Sequence, residues 1–82
     1  MKIHVLTCIN EEGTLVSVEA FTDRNVAFQQ MKDEIQAEVE NAEMEEYEDI
    51  DHDYDSCSGH VGYGDELYYT WDLSEVEVGE TR

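Results

Sequence analysis

Positive charge is nearly missing from this chain: four Lys and Arg stand against 22 Asp and Glu in 82 residues, a formal net charge of −18. From Asp33 through Thr81 there is not one Lys or Arg, although that stretch holds 18 of the 22 acids. Like charges repel, so DNA, RNA and an anionic membrane are excluded as direct ligands unless a cation bridges the contact. Cysteine is scarce too. Cys8 and Cys57 are too few for a disulfide framework, and both are expected as reduced thiols in a cytoplasmic protein. No apolar run approaches the length of a signal-peptide core or a membrane span.

What is present is the composition of a folding protein. Hydrophobic residues make up 40% of the chain, and their spacing is periodic, which separates it from a disordered acidic tail. The length suits a single domain, residues 1–82, with a small core and a net stability of only a few kcal/mol. Ile3, Val5, Thr7 and Ile9 alternate with His4, Leu6, Cys8 and Asn10, the period of a strand. Glu11-Glu12-Gly13 reads as a turn with Gly13 at positive φ, and Thr14–Phe21 alternates again. The two segments are expected to pair as a hairpin that turns Ile3, Val5, Ile9, Val16 and Val18 to the core.

Thr22 is the expected N-cap of the following helix, with Asp23 in its first turn and Phe21 and Val26 as a hydrophobic staple. Phe28, Met31, Ile35, Val39 and Ala42 recur every three or four residues and form its apolar stripe. Glu43, Glu45, Glu46 and Glu48 crowd the negative end of the helix dipole, which predicts that the helix stops between Met44 and Glu48. Residues 49–56 read as an exposed acidic loop. Cys57–Tyr63 reads as a third strand, Gly64-Asp65 as a hairpin turn, and Glu66–Ser74 as a fourth strand that Val76 and Val78 extend. On that last strand Leu67, Tyr69, Trp71 and Leu73 share one face and Tyr68 stands on the other. The expected fold is α+β in the order ββαββ, an antiparallel sheet with one amphipathic helix on one face. The second sheet face stays uncovered, and Leu6, Leu15, Phe21 and Tyr68 are its candidates for a homodimer contact.

Motifs that would carry catalysis are weak. Asp49, Asp51, Asp53 and Asp55 alternate like the start of a calcium loop, but neither register supplies the turn glycine and the closing Glu of an EF-hand. Weak divalent-cation association is what such spacing allows. His52, Cys57 and His60 fall short of a zinc site, which needs four ligands at compatible spacing. Cys57 with His60 has the residue types of a nucleophile and base, yet the surrounding carboxylates suppress a thiolate. Gly59–Gly64 resembles a phosphate loop without its lysine or its following helix. No enzyme activity and no cofactor are therefore expected.

The acidic belt is the dense feature: 11 carboxylates in the 22 residues from Glu34 to Asp55. Helical neighbours three and four apart lie about 5–6 Å from each other, so such rows present closely spaced negative groups, as a nucleic-acid backbone does. In charge and size the chain resembles DNA-mimic proteins, including phage inhibitors of restriction and CRISPR systems. The candidate contact residues are Glu34, Glu38 and Glu40 on the helix, and Glu45, Glu46, Tyr47, Glu48 and Asp49 at its end. Asp51, Asp53, Tyr54 and Asp55 follow from the loop, and Tyr68 from the last strand. The expected partner is a Lys/Arg-rich, nucleic-acid-binding protein, with no direct contact to nucleic acid or membrane. The competing reading is a structural or accessory domain that is acidic for solubility or for high salt.

Overall fold

The computed structural model describes residues 1–63 and 66–79, with only the backbone for Glu66 and Leu67. In chain order run β1 (Lys2–Asn10), β2 (Leu15–Phe21), α1 (Arg24–Met44), β3 (Ile50–Tyr54), β4 (Ser58–Tyr63) and β5 (Glu66–Glu77). The strands form one sheet in the order β2-β1-β5-β4-β3, and every neighbouring pair is antiparallel. The α+β class and the single helix packed on an antiparallel sheet agree with the expectation. The expected turn at Gly64-Asp65, and the facing of the Leu67 side chain, lie outside the described residues.

The first hairpin forms as its turn chemistry dictates. Gly13 adopts φ +79°, and the Asn10 side-chain oxygen accepts from the backbone amides of Glu12 (3.0 Å) and Thr14 (2.9 Å). The two halves of the chain join through β1 and β5, in register from Lys2 opposite Glu77 to Asn10 opposite Tyr69. The helix leaves one edge strand, β2, and delivers the chain to the other edge, β3, touching all five strands on the way.

One core results. Leu6 and Cys8 from β1, Val61 from β4, and Trp71 and Leu73 from β5 close against Ala27, Met31, Ile35 and Val39 of the helix. Ala42 completes the buried stripe and Phe28 packs beside it, as the three-and-four spacing predicts. The hairpin, however, is turned over relative to the expectation. Leu6 and Cys8 face the helix, while Ile9, Val16 and Val18 are exposed and Ile3 and Val5 are half-buried. The register with β5 decides this. Leu6 stands opposite Leu73 and Cys8 opposite Trp71, so the bulk of the last strand draws those β1 residues under the helix. The uncovered face consequently holds neither Leu6, which is buried, nor Phe21, which packs on the core, and Tyr68 lies with residues of the helix C-terminal end; Leu15 does remain exposed. His4 is drawn inside with Leu6, and its Nδ1 has no hydrogen-bond partner.

Three local expectations also change. The N-cap is Asp23, not Thr22: its carboxylate accepts from the Asn25 amide at 2.8 Å and the helix begins at Arg24. That shift leaves Val26 53% exposed, so no Phe21–Val26 staple forms, and Ala27 is the buried residue. Residues 50–54 are a strand and not a loop. As an edge strand β3 needs only one partner, and an edge tolerates charged side chains that a central strand would not. Cys57 is exposed in the turn before β4, whereas Cys8 is buried.

Gly59 sets how closely the helix lies on the sheet. A Cβ there would meet Ile35 Cδ1 at 2.5 Å and Tyr54 Cβ at 3.2 Å. Gly59→Ala is expected to destabilise the fold by about 1–3 kcal/mol, the usual cost of overpacking. Ile35→Val removes the methyl it strikes, so the double variant should be more stable than the sum of the single losses. Urea unfolding of all four proteins measures this coupling; strict additivity would show that the helix does not rest on Gly59.

Candidate functional site

The helix presents its carboxylates in two environments. Glu34 and Glu38 lie half-buried where the helix meets the sheet. Glu34 is committed to the fold, accepting from Trp71 Nε1–H at 3.2 Å and from Gln30 Nε2–H at 3.0 Å. Glu40 stands on the outer face and accepts from Gln36. The apolar stripe predicted correctly which residues point inward, but nothing in it marked Glu34 as the partner of a core tryptophan.

At the helix C-terminus the backbone closes in a Schellman arrangement. The Tyr47 amide donates to Ala42 O and the Glu46 amide to Glu43 O, both at 3.1 Å. Such a turn puts a left-handed residue, ordinarily glycine, just past the helix. Here that residue is Glu46, at φ 62°, and Asp49 follows at φ 54°. Glu45, Glu46, Glu48 and Asp49 are all exposed, with no basic residue in the last helical turn. The chain therefore places acids where both the backbone conformation and the helix dipole disfavour them.

The remaining acids separate. Asp51 and Asp53 point to the sheet face away from the helix, where Asp51 lies 3.4 Å from His60 Nε2. Asp55 folds the β3–β4 turn: one of its oxygens accepts from the Cys57 and Ser58 amides and from the Ser58 hydroxyl. Those backbone hydrogen bonds hold its carboxyl below the usual range. Tyr54 packs edge-on against Phe28, with ring centroids 5.8 Å apart. Asp55 and Tyr54 thus belong to the helix N-terminal end, a helix length of about 30 Å from Glu45. The predicted contact set is not one patch.

Its densest part surrounds a cavity of about 600 Å³ at the helix C-terminal end, lined by Glu11, Glu38, Asn41, Glu45, Tyr47, Tyr63, Tyr68 and Tyr69. Tyr63 is the hub of its aromatic wall. Tyr47 stacks on it at 4.5 Å and 17°, and Tyr68 lies at 4.1 Å and 34°. Tyr47 and Tyr68 are 6.4 Å apart, so the rings make a bent wall and not a straight column. Burial first, and then the neighbouring negative charge, pushes the Tyr63 hydroxyl up to about 12, so it is a neutral phenol at physiological pH. Tyr63, Tyr69, Glu11 and Asn41 were not among the candidates. The spacing assigns the first two to core or strand, and the β3–β4 and β4–β5 pairings bring them beside Tyr47.

Among the described residues the Lys and Arg side chains lie elsewhere and are engaged. Lys2 pairs with Glu75 at 3.8 Å, the Arg24 guanidinium donates to Ser56 O, and Lys32 sits 4.9 Å from the centre of the Phe28 ring. Among the described residues no group of His, Cys, Asp and Glu converges as a metal site, and no helix is long and apolar enough to cross a membrane. No protein-family model matches the chain, and no curated protein or solved structure matches it either. Function therefore has to be read from the chemistry of the site itself.

The crowded carboxyls leave a pH signature. Glu38 is raised by burial and then by Glu34; Glu19 is raised first by a hydrogen bond to Glu34, then by burial and by that residue's charge. Groups raised on folding contribute stability that is complete below their unfolded pKa, about 4.3 for Glu, and lost as pH rises through the folded value. Asp55 runs the other way, and its contribution disappears as pH falls through its lowered value. The unfolding midpoint should therefore rise as pH is lowered from neutral towards about 4.3 and fall only below about 3.9, where the Asp55 contribution is lost. Glu38→Gln should raise the midpoint at neutral pH and flatten that climb. Thermal melts across the pH range measure both effects, and a midpoint that only falls below neutrality would contradict them.

Proposed function

We propose that the chain is a non-catalytic binding protein that occupies a basic, nucleic-acid-binding surface of a partner and blocks it, in the manner of an anti-restriction or anti-CRISPR inhibitor. The observation that carries this reading is the helix C-terminal end. Glu46 in a left-handed conformation, its acidic neighbours against the dipole and the absence of a base from the last helical turn all work against the fold. A surface kept soluble would mix signs, and a fold tuned for stability would put glycine at position 46. Carboxylates fixed on a helix end and an adjoining strand supply what a basic groove otherwise finds in phosphates. Attraction of this kind speeds association and weakens as salt rises.

The second reading, self-association, is favoured by one feature. The outer face of β1 and β2 carries Ile3, Val5, Val18 and Ala20 without a carboxylate, and Val18 is 53% exposed. Sedimentation at several concentrations reports on that face independently of any basic partner.

The immobilised full chain should capture a basic nucleic-acid-binding protein from cells at low salt, release it at high salt, and lose it to added competitor DNA or RNA. Changing Glu45, Glu46, Glu48 and Asp49 together to Gln and Asn should weaken capture by at least tenfold. Capture that ignores both ionic strength and these four residues would refute the electrostatic account. The single change Glu46→Gly should separate fold from function, raising stability by about 1 kcal/mol through relief of the left-handed residue while lowering affinity for the partner.

A further inference from the structure

The cavity at the helix C-terminal end has a composition that an acidic coat alone does not require. Four tyrosines converge there with Glu11, Glu38 and Glu45, brought together from the β1–β2 turn, the helix, the turn after it, and strands β4 and β5. Its volume of about 600 Å³ falls in the range of small-ligand sites, about 300–1,000 Å³. The faces of aromatic rings carry negative electrostatic potential and attract cations, and carboxylates add full charge and hydrogen-bond acceptors. An anion is repelled from such a site, and a neutral donor gains hydrogen bonds from its carboxylates but not the attraction of opposite charge.

The shape narrows the class of cation. The Tyr47–Tyr63 and Tyr63–Tyr68 spacings of 4.5 and 4.1 Å leave no room between the rings, so a ligand lies against the wall and not within it. Tyr47, 44% exposed and at one end of the wall, offers a free flank to a flat group. Guanidinium is planar, stacks on aromatic faces and presents a fork of N–H donors that matches a carboxylate; an ammonium is a compact, strongly hydrated point charge that does neither as well.

We propose that this cavity receives one arginine side chain of the partner, its guanidinium stacked on Tyr47 and its N–H donors directed to Glu45 and Glu38. This rests on the reading of the chain as a binder of basic proteins, and it names the anchor of that contact. The stacked arginine gives a fixed point on a surface otherwise held by diffuse charge, and desolvated aromatic and arginine contacts of this kind dominate interface energies.

The test uses the full chain and three blocked amino-acid amides: arginine, lysine and citrulline, the last a neutral isostere of arginine. In an NMR titration at low salt, the arginine amide should shift the Tyr47, Tyr63, Tyr68 and Tyr69 ring resonances, the lysine amide should bind more weakly, and the citrulline amide should leave them unmoved. Tyr47→Leu should weaken arginine binding about 2–5-fold, the scale of an exposed cation–π contact, while Tyr47→Phe retains it. Glu45→Gln should weaken it as well, whereas Asp33→Asn, which removes the same charge from a distant part of the helix, should not. Equal binding of arginine and citrulline, or equal losses from Glu45→Gln and Asp33→Asn, would overturn the assignment. Should a basic partner be captured in a salt-dependent way while arginine amide shows no preference for these rings, this inference alone falls; the loss of partner capture removes the parent reading instead.

Discussion

The fold depends on one apolar seam, where the Ala27, Met31, Ile35 and Val39 stripe closes on Leu6, Cys8, Val61, Trp71 and Leu73. It must hold a chain of net charge −18 together, and no disulfide assists it. Burial of apolar surface is non-directional and scales with area, so an 82-residue chain has little to spare. The seam uses its positions fully. Trp71, Leu6, Met31 and Val61 are its largest completely buried side chains, and Gly59 lets the helix come close enough to bury them. Glu34 ties the tryptophan edge to the helix, so one of the many carboxylates serves the core directly.

The other carboxylates are arranged around this seam unevenly. Among the described residues Lys2, Arg24 and Lys32 lie on β1 and the first half of the helix, engaged in local contacts, and the last helical turn holds no base. The outer face of β1 and β2 is apolar and the outer face of β3 acidic, so the same sheet offers surfaces of different kinds on one side. This segregation suits a molecule that meets another, because a uniformly charged sphere has no preferred docking face.

Much of the fold was legible in the sequence because its helix and last strand are strongly patterned. The stripe from Phe28 to Ala42 has one apolar face only, and Trp71 and Leu73 have no competing apolar neighbours on the other side of their strand. β1 was read the wrong way round for the opposite reason: Ile3, Val5 and Ile9 on one face and Leu6 and Cys8 on the other are both acceptable, and only pairing with β5 decides between them. The strand at Ile50–Tyr54 was hidden by its aspartates, although Ile50, His52 and Tyr54 do alternate with Asp51 and Asp53. Of the candidate site, the acids and Tyr47 and Tyr68 were visible as composition. The cavity was not, because Tyr63, Tyr69 and Glu11 reach it from strands and a turn distant in sequence, and no local pattern records that convergence.

The central claim is that the acids at the helix end are kept at a cost to the fold. Unfolding free energies of the native chain and of the variant neutral at positions 45, 46, 48 and 49 measure that cost at about 20 mM and about 500 mM sodium chloride, where the Debye length shrinks from about 20 Å to about 4 Å. The variant should be the more stable protein at low salt, and the gap should close at high salt as screening removes the repulsion. A variant that is less stable than the native chain at low salt would mean that these carboxylates support the fold, and the case for a surface reserved for a partner would fail.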